Sequence, residues 1–115
     1  MTTEPLSLLD ATEYSYSTKV EGGIPVAMRF RVSGQLDDSY LDFVADRAAW
    51  LSLSGWVGSD PDEQQVTVVV AGPEALVGAL EMACVLGPLD ALVHTIQAEP
   101  EPGLVEPGFV VRRQK

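Results

Sequence analysis

The chain has a single cysteine, Cys84. An internal disulfide is therefore impossible, which fits a reducing, cytoplasmic compartment. It has a single histidine, His94; alone on a strand, such a residue reads as structural or surface-exposed before it reads as catalytic. Basic residues are scarce, with 7 Lys and Arg against 17 Asp and Glu and a net charge of −10. That charge repels phosphate backbones and anionic bilayers, which argues against nucleic-acid and membrane partners. No long apolar run is present. The N-terminus carries Glu4 and Asp10 with no basic stretch, so neither a signal peptide nor a membrane span is expected. No internal repeat is visible. What is there is 115 residues, 46% of them apolar: enough for one domain with a core that needs no staples. The acidic surface reads as a solubility charge on a bacterial-type protein.

Hydrophobic periodicity divides the chain into a leader and seven elements. Residues 1–25 form a leader, read either as a flexible tail or as an added edge strand in which Tyr14, Tyr16, Thr18 and Val20 share a face. Residues 26–33 alternate, with Val26, Met28, Phe30 and Val32 on one side and Arg29 and Arg31 on the other, as in a half-buried strand. A loop to Ser39, the expected helix cap, precedes an apolar stripe of Tyr40, Phe43, Val44, Ala48 and Leu51. Residues 53–59 and 65–71 read as strands, the second β-branched and central. Gly72-Pro73-Glu74 opens a second helix, with Leu76, Ala79, Leu80, Ala83 and Cys84 as its buried stripe, and Gly87-Pro88 closes it. Residues 91–98 form the next strand and residues 108–112 a short closing one. This order is the split βαβ arrangement: an α+β, ferredoxin-like βαββαβ sandwich with both helices on one face of an antiparallel sheet. The domain is expected over residues 26–115.

Several segments carry a more specific likeness. Arg31-Val32-Ser33-Gly34 ends the first strand, and Gly55-Trp56-Val57 lies in the second. Gly72-Pro73-Glu74 and Gly108-Phe109 follow later. Together they resemble the acylphosphatase family, over roughly residues 26–112. Its signature is a Val-x-Gly strand end, a glycine-rich phosphate loop ending in Phe-Arg, an amphipathic helix and a Gly-Trp-Val-x-Asn strand. The resemblance implies the ferredoxin-like fold and a two-part site. Backbone N–H groups at the strand–loop–helix junction cradle a phosphate, helped by the arginine, and the asparagine orients the attacking water.

The chain departs from that pattern where the chemistry should be. In family register, Leu41 falls at the arginine and Ser59 at the asparagine. The loop Gly34-Gln35-Leu36-Asp37-Asp38-Ser39-Tyr40-Leu41 is one residue short and lacks the inner glycines that let a backbone approach an anion. Asp37 and Asp38 bring negative charge to the place of the phosphate. Arg29, Arg31 and Arg47 are not placed to substitute. The candidate pocket comprises Gln35, Asp37, Asp38, Ser39, Tyr40, Ser59 and His94. Cys84 reads as a small core residue. The carboxylate groups Asp37, Asp38 and Asp42, and Asp60, Asp62 and Glu63, do not match the EF-hand loop and read as solvated turns, so neither a metal nor a cofactor is expected.

Three functions follow from this sequence. The first is a catalytically degenerate acylphosphatase-like domain that binds a protein or a small molecule, with the leader building a homodimer. The second is a divergent enzyme using the same scaffold with an acidic pocket. The third is an acylphosphatase with relocated residues.

Overall fold

The computed structural model describes residues 23–60 and 64–112. Its elements run β1 (Pro25–Gln35), α1 (Asp38–Trp50), β2 (Ser54–Asp60), β3 (Gln65–Pro73), α2 (Glu74–Leu86), β4 (Leu92–Pro100) and β5 (Phe109–Arg112). They form an α+β sandwich with one five-stranded sheet in the order β4-β1-β3-β2-β5. Four strands pair antiparallel and β5 joins β2 in parallel, so the sheet is mixed. The leader lies almost wholly outside the described residues. Among those described, no helix is long and apolar enough to cross a membrane.

Strict alternation in β1 and β3 puts Phe30, Val32, Val66, Val68 and Val70 on the face beneath the helices, all buried. Tyr40, Leu41, Val44 and Ala48 of α1 close over them, as do Val77, Leu80 and Cys84 of α2. The opposite face carries Arg29 and Arg31, paired with Glu101 at 2.9 Å and Glu99 at 3.0 Å. Both arginines are thus engaged away from the helices, as their alternation requires. After β4, residues 101–108 cross this open face to reach β5, anchored by the Glu101 N–H on the Ala27 carbonyl and by the Gly55 N–H on the Gly108 carbonyl.

Tyr40 solves a local problem in α2. The Cys84 carbonyl should accept the N–H four residues on, but that residue is Pro88, which has none. The buried Tyr40 hydroxyl donates to this carbonyl instead, at 2.7 Å, and ties the start of α1 to the end of α2. Burial pushes the Tyr40 phenol well above its usual range, and it pushes the Cys84 thiol up to about 12. Neither ionises near neutral pH. Tyr40→Phe should leave a buried carbonyl unsatisfied and cost about 1–3 kcal/mol, read as a lower melting temperature by circular dichroism with no change in fold.

Candidate active site

The site begins where β1 ends. Gly34 has φ +155, and a Cβ there would collide with the Leu92 carbonyl of β4. Glycine therefore permits the shift in pairing between Ser33 and Gly34 that lets β1 continue to Gln35, opposite Leu92. The strand thus runs two residues past its expected end, and the connection to α1 shrinks to Leu36 and Asp37.

The helix cap is Asp37 rather than Ser39. The Asp37 carboxylate accepts the Ser39 backbone N–H at 3.0 Å and the Ser39 hydroxyl at 2.6 Å. These bonds hold its pKa below the usual carboxylate value, the Ser39 hydroxyl being the largest cause. Ser39 sits inside the first turn, and the Tyr40 N–H turns back to the Asp37 carbonyl at 3.0 Å. An anion therefore already occupies the positive end of α1.

Across from it stands Ser59. It shares the helix-side face of β2 with Val57, two residues beyond it toward the end of the strand, and is half-buried. The β2–β3 hairpin sets Asp60 opposite Gln65. A cleft of about 230 Å³ opens between these elements, lined by Leu36, Asp37 and Asp38 on one side and by Ser59, Asp60 and Gln65 among those on the other.

Of the expected pocket residues, Asp37, Asp38 and Ser59 line this cleft. Ser39 touches it through Asp37. Tyr40 does not belong to it, because its ring is fully buried and its hydroxyl is committed to α2. Gln35 and His94 lie on the β1–β4 side, both exposed and outside the lining. Leu41, placed by register at the arginine position, is a core residue, 1% exposed. Asp60, Gln64 and Gln65 were not expected in the cleft; the hairpin between two predicted strands was the signal that could have found them.

None of the four described arginines lines the cleft. Arg29 and Arg31 are paired on the open face, Arg47 stacks on Phe43 with 5.4 Å to the ring centroid, and Arg112 stacks on Trp56 at 4.3 Å. Among the described residues, no group of three His, Cys, Asp or Glu side chains converges to hold a metal ion; Asp62 and Glu63 lie outside them. A second cleft, about 170 Å³, lies on the open face between Trp56, Val110 and the crossing segment, remote from the start of α1.

Comparison with known proteins gives a consistent answer. The family profile described as Acylphosphatase matches residues 28–111. The chain is 35% identical to an acylphosphatase of Caldivirga maquilingensis over 92 residues, covering 78% of this chain and 97% of that protein. It is also 35% identical to an acylphosphatase of Rhodospirillum rubrum, over 69% of this chain and 87% of that one. The solved structure of an acylphosphatase from Coxiella burnetii superposes with a TM-score of 0.70 at 26% identity, over 84% of this chain and 100% of that one. These matches overturn the expectation of a catalytically degenerate binding domain. Relatives similar over nearly their whole length carry the name of the enzyme, and nothing in the comparisons supports a degenerate member.

Proposed function

Because the chain belongs to the acylphosphatase family, we propose that it hydrolyses the carboxyl–phosphate bond of acyl phosphates in the cleft beneath the start of α1. The observation that carries this reading is the Asp37 carboxylate seated on the Ser39 N–H and hydroxyl. It marks an anion-receptive helix terminus facing a hydroxyl-bearing strand end.

In this reading the phosphoryl group displaces the Asp37 carboxylate and takes over the Ser39 donors. Ser59 accepts a hydrogen bond from the attacking water and holds it in line. The water oxygen attacks phosphorus, the bond from phosphorus to the acyl oxygen breaks, and the carboxylate leaves with the electron pair. The protons of the water are shared between the new phosphate and solvent. The leaving carboxylate is a weak base and needs no acid, so the site's task is to bind the phosphoryl oxygens and place the water. Amide and hydroxyl dipoles meet the phosphoryl charge without a guanidinium among the described residues, so turnover is expected to be slow for such chemistry.

The test is steady-state hydrolysis of benzoyl phosphate. The wild-type chain should accelerate it above buffer, with inorganic phosphate as a competitive inhibitor. Ser59→Ala should lower kcat about three- to fivefold and leave KM nearly unchanged, because Ser59 acts on the water and not on the phosphate. A wild-type chain indistinguishable from buffer contradicts the reading.

A further inference from the structure

Strand β2 turns Val57 toward the helices, so its neighbour Trp56 stands on the open face of the sheet. There Trp56 lies beside its cross-strand partners, Val69 of β3 and Val110 of β5. The crossing segment leaves a cleft of about 170 Å³ over this trio, bounded by Leu104 and Glu106. Arg112, two residues beyond Val110 on the same face of β5, lays its guanidinium over the Trp56 ring, 4.3 Å from the centroid. Val69 is buried, whereas Leu104 and Val110 are 102% and 53% exposed. Such a cleft has an apolar floor and uncovered apolar walls. It holds one small apolar body and falls well short of the roughly 300–1,000 Å³ that larger ligands occupy.

The charged groups at this cleft are one of each sign. Arg29 and Arg31, on the same face of the sheet, are held by Glu101 and Glu99. Arg112 has no carboxylate partner among the described residues. Stacking on an indole uses the flat face of a guanidinium and leaves its in-plane N–H donors directed outward. Those donors suit a two-point grip on a carboxylate. Glu106 is exposed and lines the same cleft. Its carboxylate repels a simple organic anion and accepts hydrogen bonds from an ammonium group.

We propose that this cleft binds a free α-amino acid with an apolar side chain. The carboxylate meets Arg112, the ammonium meets Glu106, and the side chain enters against Trp56, Val69 and Val110. A zwitterion carries no net charge, and neither does the lining, where Arg112 and Glu106 are the only charged residues among those described. It thus escapes the repulsion that a chain of net charge −10 presents to anions. A carboxylate lacking the amine would face Glu106 uncompensated, and an amine lacking the carboxylate would face Arg112. This cleft shares no lining residue with the one below the start of α1. The inference stands apart from the catalytic reading, and its test uses no activity measurement.

The experiment titrates L-leucine into the full chain and follows the two indole N–H signals by NMR. The Trp56 signal should shift saturably, while that of Trp50, exposed on α1 and outside the lining, stays in place. Isocaproate and isoamylamine keep the leucine side chain and one of its two charges each. Both should bind at least about fivefold more weakly than leucine, as expected for losing one exposed charge pair. Arg112→Gln and Glu106→Gln should each weaken leucine by a similar factor, and Glu106→Gln should in addition strengthen isocaproate. Both side chains are exposed, so the fold should survive either change. The exchanged preference in Glu106→Gln is a result that a merely structural role would not give. An unmoved Trp56 signal overturns the proposal. So does equal affinity for leucine and isocaproate, which would make the cleft an apolar hollow without charge recognition.

Discussion

Leu41→Arg is expected to unfold the chain or lower its melting temperature by roughly 15 °C or more, and to add no hydrolytic activity. Family register makes this the obvious substitution for restoring a phosphate-binding arginine. The structure makes it a core substitution, since Leu41 is 1% exposed and packs in the main apolar cluster. Removing a buried leucine side chain costs about 2–5 kcal/mol before any charge is considered. A guanidinium with no partner must then either stay buried, which is costlier still, or force α1 off the sheet. In a domain this small, each kcal/mol moves the midpoint by about 4–8 °C. Thermal unfolding followed by circular dichroism decides it. A folded variant with an unchanged midpoint and faster hydrolysis would mean that position 41 faces the cleft and that the described core is wrong there.

Asp37→Asn is expected to act in the opposite sense, raising affinity for inorganic phosphate and kcat/KM for acyl phosphates about tenfold at low ionic strength. Asparagine caps a helix as well as aspartate does, so α1 should keep its start. What changes is the charge. The wild-type carboxylate holds the Ser39 donors, which under the proposed function a phosphoryl group would take over, and it would repel an incoming dianion. The gain should shrink as salt is added, because the group is exposed and screened. The wild type offers a related pH signature. The Asp37 pKa lies below its usual value, so the capping carboxylate stabilises α1 above the unfolded-state pKa. That contribution is lost only as pH falls through the lower, folded-state value, and phosphate inhibition should strengthen over the same acid range. An unaltered inhibition constant in Asp37→Asn would show that phosphate binds elsewhere.

The fold was legible because its signals are local. Period-two alternation over residues 26–33 and the stop at Gly72-Pro73 place β1 and the start of α2 to within a residue or two. The ends of elements were less legible. Gln35 extends β1 only because Leu92, distant in sequence, pairs with it. The parallel pairing of β5 with β2 likewise depends on a crossing segment whose anchors, Glu101 to Arg29 and Gly108 to Gly55, leave no periodic trace.

The site was half legible. Asp37, Asp38 and Ser59 follow from the strand–loop–helix junction and the strand end. Tyr40 and Leu41 were misplaced for a helical reason. Both share the face of α1 that carries Val44 and Ala48 and packs on the sheet, and alignment along the chain does not show which face of the helix meets the cleft. The cap also competed locally: Asp37 and Ser39 are both good cap residues, and the carboxylate took the position because it could reach both Ser39 donors.

If this chain brings water to the phosphorus of an acyl phosphate, the oxygen gained in hydrolysis ends on the phosphate. The most direct measurement is acetyl phosphate hydrolysis in 18O-enriched water, followed by 31P NMR, with and without the protein. Hydrolysis faster than in buffer is expected, with the heavy oxygen appearing on the phosphate. A rate equal to buffer, or label found in the acetate instead, would contradict it.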